Sequence, residues 1–199
     1  MDKTLELEKE NSRYKHIHKN HKLPSKKFEK EDSKKTNSRI NYKGNAIEFK
    51  DDDYETSSKI LDSLTPYLEK DKIIYDPFYC KGRVIDEWKK LNYTCINEKK
   101  DAFDREHPDF DYLISNIPFS CKEKCVKLGF ELGKPFIMLM PIDVLGSKWI
   151  GKYFDKLQFL IPNGRLQFLK DGEQTNKCWF DTLWLCHGLN LNEKIIKLP

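Results

Sequence analysis

Two short runs in this sequence carry residue types that could do chemistry. One is Asn116-Ile117-Pro118-Phe119, which follows the run Asp111-Tyr112-Leu113-Ile114-Ser115. The Asn side-chain oxygen and the Ile117 carbonyl can both accept hydrogen bonds from one amino group. Such a pair draws off N–H density and holds the nitrogen lone pair toward an electrophile. Phe119 adds a ring face on which a flat base can stack. The attacking nitrogen is neutral, so no strong base is needed and the proton can leave after the transfer. The other run is Asp76-Pro77-Phe78-Tyr79-Cys80-Lys81-Gly82, which reads as a strand end, a tight turn and a helix start. Gly82 would let backbone approach a ligand closely, and a helix start offers free N–H groups. Taken alone, each run also reads as an ordinary turn built on Pro or Gly.

The elements needed to position these runs are visible in the hydrophobic pattern. Residues 57–69 place Ile60, Leu61, Leu64 and Leu68 on one helical face, with Pro66 set to kink or split it. Ile73–Tyr75 is a strand stopped by Asp76-Pro77. After Gly82 comes an amphipathic helix with Val84, Ile85, Trp88 and Leu91 on one side. Tyr93–Ile96 and Tyr112–Ile114 are strands, and the stretch from Cys121 is a helix closed by Gly133. Pro135–Met140 is a near-continuous apolar run suited to a central parallel strand. Leu145–Phe154 reads as a helix, and 157–161 and 179–186 as strands whose polar connection implies an antiparallel end. Trp149, Tyr153, Phe154 and Phe159 read mostly as core. This alternation predicts an α/β, mostly parallel, doubly wound sheet, in which ligands sit at the carboxyl ends of strands. Both chemical runs fall there.

Charge divides the chain. Residues 1–45 carry 13 Lys and Arg against 7 Asp and Glu, a net of +6, whereas the whole chain is +4, which leaves −2 for residues 46–199. Residues 1–45 therefore read as a disordered basic tail and 46–199 as the folded domain. With no apolar leader and no membrane-length apolar run, an intracellular, soluble protein is expected. The six cysteines include no Cys-x-x-Cys pair, so neither a disulfide framework nor a metal site is expected. Cys121, Cys125, Cys178 and His187 match no common zinc spacing. The Asp51–Asp53 run reads as a solvated acidic turn and His187 as structural.

In order and spacing, the motifs resemble the amino-directed class of S-adenosylmethionine-dependent methyltransferases, especially N6-adenine enzymes. Within that class the chain is similar to small proteins of large DNA viruses, protists and algae, and more distantly to phage Dam-type enzymes. The matching segments are Tyr54-Glu55-Thr56, DPFYCKG, Asp101-Ala102-Phe103, NIPFS, Lys134-Pro135-Phe136 and the late Ile161-Pro162-Asn163-Gly164-Arg165-Leu166-Gln167-Phe168. They span roughly residues 48–192.

The resemblance implies a Rossmann-like class I methyltransferase fold with an antiparallel C-terminal strand, and S-adenosylmethionine as cofactor. It places Tyr54 and Thr56 along the methionine end of the cofactor and Asp76, Phe78 and Gly82 in its main loop. It puts Glu98 at the ribose, and Asp101 at the adenine amino group with Phe103 packed nearby. Asn116, Ile117, Pro118 and Phe119 form the catalytic tetrad, Phe119 also stacks on substrate, and Arg165 holds the substrate-side loop or a phosphate. The chain departs from the pattern at two places. Ile117 stands where a Pro is usual, although ribosomal RNA adenine dimethyltransferases also use Asn-Ile-Pro, which leaves RNA open beside DNA. Cys80 and Lys81 replace the small residues often found in the cofactor loop, and a lysine suits a cationic sulfonium only if its side chain points to solvent. The implied partner is nucleic acid, held at the active-site face and by the basic tail. About 45 residues separate Met140 from the end of the last apolar strand, too few for a separate reading domain, so specificity is low or a partner protein supplies it. The alternatives are a catalytically inactive module that binds nucleic acid or a partner, and transfer to a protein glutamine or a cytosine amino group.

Overall fold

The computed structural model describes residues 54–175 and 180–199. The expectations for the 1–45 tail, for Asp51–Asp53 and for Cys178 lie outside those residues. Among the described residues, no helix is long and apolar enough to cross a membrane.

Helix α1 (Ser58–Asp62) is followed by a 3₁₀ turn over Thr65–Tyr67. The single amphipathic run is therefore split where Pro66, which has no N–H to donate, falls. Strand β1 (Ile73–Tyr75), helix α2 (Val84–Lys90) and strand β2 (Thr94–Ile96) come next. They are followed by β3 (Tyr112–Asn116), α3 (Lys122–Leu132) and β4 (Phe136–Pro141). Gly133 ends α3 in the left-handed region at φ 66°, the C-cap role read from the sequence. Strand β5 (Gln158–Ile161) precedes a hairpin of β6 (Leu169–Lys170) and β7 (Glu173–Gln174), and then β8 (Thr182–His187) and β9 (Ile195–Lys197).

Seven strands form one sheet in the order β2-β1-β3-β4-β8-β5-β9. The neighbours from β2 to β4 are parallel, and β8 runs against both β4 and β5. This is the expected mostly parallel, doubly wound α/β sheet, with the expected late antiparallel strand. Alternate side chains go to opposite faces. Ile74, Ile114, Ile137, Leu139, Trp184 and Cys186 join α1 and α2 in one core, where Trp88 is fully buried. Tyr75, Leu113, Phe136, Met138, Met140 and Leu185 join Cys125 and Val126 of α3 in the other. Both faces are covered, which is why the central strands read as continuous apolar runs.

Three sequence expectations are corrected. Residues 145–154 do not form one helix but lie across short 3₁₀ turns, broken at Ser147, whose ψ of 137° is extended, between Gly146 and Gly151. Ile85 is exposed instead of packed, since α2 buries Glu87 and Trp88. Phe154 is also exposed, with the Lys194 ammonium 4.8 Å over its ring.

Gly129 lets α3 lie close on β4. A Cβ there would sit 2.8 Å from Met138 Cε and 2.9 Å from Phe136 Cδ1. Gly129→Ala should therefore destabilise the domain by about 1–3 kcal/mol through overpacking, against about 1 kcal/mol gained in helix propensity. A denaturant midpoint that moves down with unchanged slope is the expected reading.

Candidate active site

The sheet order reverses between β1 and β3, since the chain leaves β1 toward β2 and returns to place β3 on the other side. The carboxyl ends of strands flanking such a switch point open a crevice that suits ligands. Asp76 stands at one side of it and Ser115-Asn116 at the other.

Asp76 is 5% exposed. Its Oδ1 accepts from Ser115 Oγ at 2.7 Å and from the Phe78 N–H at 3.0 Å. Asn97 Nδ2 donates to the Asp76 carbonyl at 2.9 Å. Burial pushes the Asp76 carboxyl up to about 7, opposed by the Ser115 and Phe78 hydrogen bonds. The carboxyl thus lies beneath the loop it opens, tying that loop to the strand that carries Asn116.

Above it, a cleft of about 230 Å³ is walled by residues 77–80, Lys100 to Phe103, Asn116 and Pro118. It shares Tyr79, Cys80, Lys100 and Asp101 with an adjoining open depression of about 610 Å³. Phe78 and Phe103 face each other with centroids 5.7 Å apart. Asp101 is exposed at the rim, and its Oδ1 accepts from the Phe103 N–H at 2.8 Å. Gly82 has φ 75°, and a Cβ there would meet the Tyr79 ring at 2.9 Å, so this turn requires glycine.

The Asn116 amide is fixed in orientation. Its Nδ2 donates to the Tyr54 carbonyl at 3.0 Å, and Oδ1 is left closed to solvent and without a partner among the described residues. Ile117 is 2% exposed and packs its side chain into the α3-side core, so an apolar residue other than Pro fills that position without entering the cleft. Pro118 has φ −65° and ψ 116°, turning the chain into the 3₁₀ turn of Phe119. The Phe119 ring meets Phe180 edge-on at 5.7 Å.

Other site residues stand further out. Tyr54 reaches the site through its carbonyl, while its ring packs at 6.1 Å on Phe168. Thr56 is buried, and its Oγ1 has no partner among the described residues. Glu98 is outside the cleft wall, and hydrogen bonds from Lys100 and Arg105 hold its carboxyl below the usual carboxylate range. Arg165 is also outside the wall, its Nε 3.3 Å from Asp181, the residue after Phe180.

The sequence pattern does not single out several features of the site. Ser115 reads only as the end of a strand, although a small polar residue two positions after Leu113 on the same face is a visible break in an apolar pattern. The β6–β7 hairpin reads as a polar spacer, but Asp171-Gly172 is a turn signal in its own right, with φ of 54° and 84°. That hairpin lies against the loop. Lys81 Nζ is 2.5 Å from Asp171 Oδ1, and Arg83 is 3.5 Å from the buried Glu55 carboxylate. Glu55 in turn exchanges both backbone hydrogen bonds with Leu169 at 2.9 Å. Lys81 is thus drawn to the hairpin.

A second groove, of about 650 Å³, starts at Phe119 and is lined by Lys122, Lys124, Lys127 and Trp149 together with the acidic Glu123.

No family model matches the chain, and no curated protein matches it. Among solved structures it is similar to a dimethyladenosine transferase from Plasmodium falciparum, at 15% identity and a TM-score of 0.40. The match covers 67% of this chain and 62% of that one, so it spans less than two thirds of the solved chain.

Proposed function

We propose that the protein transfers the methyl group of S-adenosylmethionine to an exocyclic amino nitrogen, with N6 of adenine in nucleic acid as the acceptor. The observation that carries this reading is the Asn116 amide, held by Tyr54 so that an unpartnered oxygen stands at the carboxyl edge of β3 beside the cleft. S-adenosylmethionine supplies an electrophilic methyl group on a sulfonium sulfur. Phe78, Phe103 and Asp101 would hold its adenosine end, with the Gly82 turn against its backbone side. Asn116 Oδ1 and the Ile117 carbonyl would accept from the two amino hydrogens and aim the nitrogen lone pair at the methyl carbon. The new C–N bond forms as the C–S bond breaks, and the surplus proton passes to solvent. Orientation supplies most of the rate. Phe119, which lines the neighbouring groove, would stack on a base taken out of a duplex or already single-stranded.

The groove beyond Phe119 supports a path for the flanking strand, since lysines interleaved with an aromatic ring suit phosphates and bases together. Replacing Lys122, Lys124 and Lys127 together with Ala should weaken oligonucleotide binding and flatten its dependence on salt. The log–log slope should fall by roughly two to three, about 0.7–0.9 for each phosphate no longer neutralised by a lysine. Unchanged slope in a fluorescence-anisotropy titration would remove the groove from the path. The reading as a whole is tested by methyl transfer from labelled S-adenosylmethionine to DNA and RNA oligonucleotides, followed by nucleoside mass spectrometry. Label in N6-methyladenine is the expected product, and label in cytosine or in protein glutamine would redirect the acceptor.

One observation favours a second reading, a module that keeps the fold without catalysis. Asn116 Oδ1 is closed to solvent and the cleft is small beside ordinary ligand pockets of about 300–1,000 Å³. Calorimetry with S-adenosylmethionine separates the two, because absence of binding at millimolar concentration favours the module.

A further inference from the structure

Cys121 and Cys125 flank the first turn of α3, directly after the Asn116–Phe119 run. Their sulfurs are 3.7 Å apart. Cys121 is half-buried and lines the groove beside Phe119, and Cys125 is fully buried behind it. Cys121 is also bound to the preceding turn, since its N–H donates to the Pro118 carbonyl at 3.2 Å and its Sγ lies 3.7 Å from the same oxygen.

We propose that Cys121 and Cys125 form a reversible intramolecular disulfide, with a low-molecular-weight disulfide such as oxidised glutathione as the oxidant. Cys121, the thiol on the groove side, loses its proton to solvent and attacks one sulfur of the small disulfide. An S–S bond forms to Cys121, and one small thiolate leaves and is protonated. Cys125 then loses its proton and attacks Cys121 Sγ, expelling the second small thiolate, which is protonated in turn. Two protein thiols are oxidised to one cystine, and one small disulfide is reduced to two thiols.

Closure reaches the neighbouring turn for a geometric reason. Residues four apart on a regular helix hold their Cβ atoms about 5–6 Å apart, while a disulfide requires about 3.5–4.5 Å. Cys125 is fixed within α3 and the core. Cys121 precedes the helix with φ −129° and ψ 31°, outside the helical ladder that holds Cys125, so closure displaces Cys121 and the turn it is bonded to. Drawing it inward pulls on Pro118 and Phe119, the last two residues of the run beside the cleft. The effect on catalysis rests on the proposed methyl transfer, whereas bond formation does not.

The test exposes the full chain to a series of oxidised-to-reduced glutathione ratios and maps cysteines by mass spectrometry. The expected result is loss of two hydrogen atoms in the peptide holding Cys121 and Cys125, reversed by reductant and absent in Cys125→Ala and Cys121→Ser. Methyl transfer should drop roughly 100-fold on oxidation, the order expected for displacing an active-site group by about 1 Å. Cys125→Ala should show the same rate before and after oxidant, with thermal unfolding confirming that it is folded. A bond to any other cysteine, or a lasting glutathione adduct on Cys121 without closure, would overturn the proposal. Bond formation with no change in rate would overturn the coupling. If no methyl transfer occurs at all, the peptide map still decides whether the bond forms.

Discussion

Asn116→Ala should lower methyl transfer by about 100- to 1,000-fold while S-adenosylmethionine binding persists, the range seen when one preorganised polar group is removed from a reacting centre. The Asn116 amide is asymmetric: Nδ2 is engaged by the Tyr54 carbonyl, and Oδ1 has no partner among the described residues, which leaves it as the acceptor under the proposed function. Alanine removes both. Loss of the Tyr54 hydrogen bond should also lower stability by about 1 kcal/mol, which thermal unfolding reads separately. Asn116→Asp is the sharper variant. It keeps the shape and the acceptor, but a carboxylate cannot donate to Tyr54, so the side chain loses its anchor. Its activity should fall with that of the alanine variant. Full activity in Asn116→Ala, with cofactor bound, would contradict the assigned role.

Asp76 should give the second large effect, and it should be visible without any substrate. Its folded value of about 7 lies above the ordinary 3.8, so the folded protein holds a proton that the unfolded chain releases. That contribution to stability is complete below about 4 and is lost as pH rises through about 7, at about 1.4 kcal/mol for each pH unit in the window. Carboxylates held low by partners, such as Asp111 with the Ile73 N–H and Lys72, tilt the other way. The difference between wild type and Asp76→Asn isolates the buried group. Asparagine keeps an oxygen for Ser115 and Phe78 and cannot titrate, so stability should become less dependent on pH, and its gain relative to wild type should grow between about 4 and about 7 and be complete above that. Asp76→Ala instead leaves the Ser115 hydroxyl and the Phe78 N–H buried without an acceptor and should destabilise by about 2–4 kcal/mol. Under the proposed function, a cation entering the cleft favours the carboxylate beneath it. Binding of S-adenosylmethionine to wild type should then release a proton near pH 7, measurable by calorimetry in buffers of different ionisation enthalpy, and Asp76→Asn should release none. Parallel stability curves for wild type and Asp76→Asn across this range would dismiss the buried titration.

The strands of the sheet's centre are legible because each is buried on both faces, so Ile73–Tyr75, Tyr112–Ile114 and Pro135–Met140 stand out as apolar runs. The same burial places Asp76 and Asn116 at strand ends and hence at one edge. What the sequence hides depends on contacts between distant segments. No periodicity announces that Tyr54 supplies a carbonyl to Asn116, that Asp171 takes up Lys81, or that Phe180 meets Phe119. β9 escapes the pattern because an edge strand paired on one side carries exposed and half-buried residues and has no apolar run. The region after Met140 misleads because its apolar spacing imitates a helix while Gly146, Ser147 and Gly151 favour short turns.

The hairpin that holds Lys81 and the segment that holds Glu55 lie on either side of nearly the whole fold in chain order. During N-to-C synthesis every residue of the two chemical runs is made before Leu169, yet the loop bearing Lys81 and Arg83 then has no Asp171 or Leu169-paired Glu55 to dock on. A stretch made late is therefore the one that secures the earlier of the two chemical runs. Docking of that loop should arrive abruptly once the hairpin is made, instead of growing as the chain lengthens.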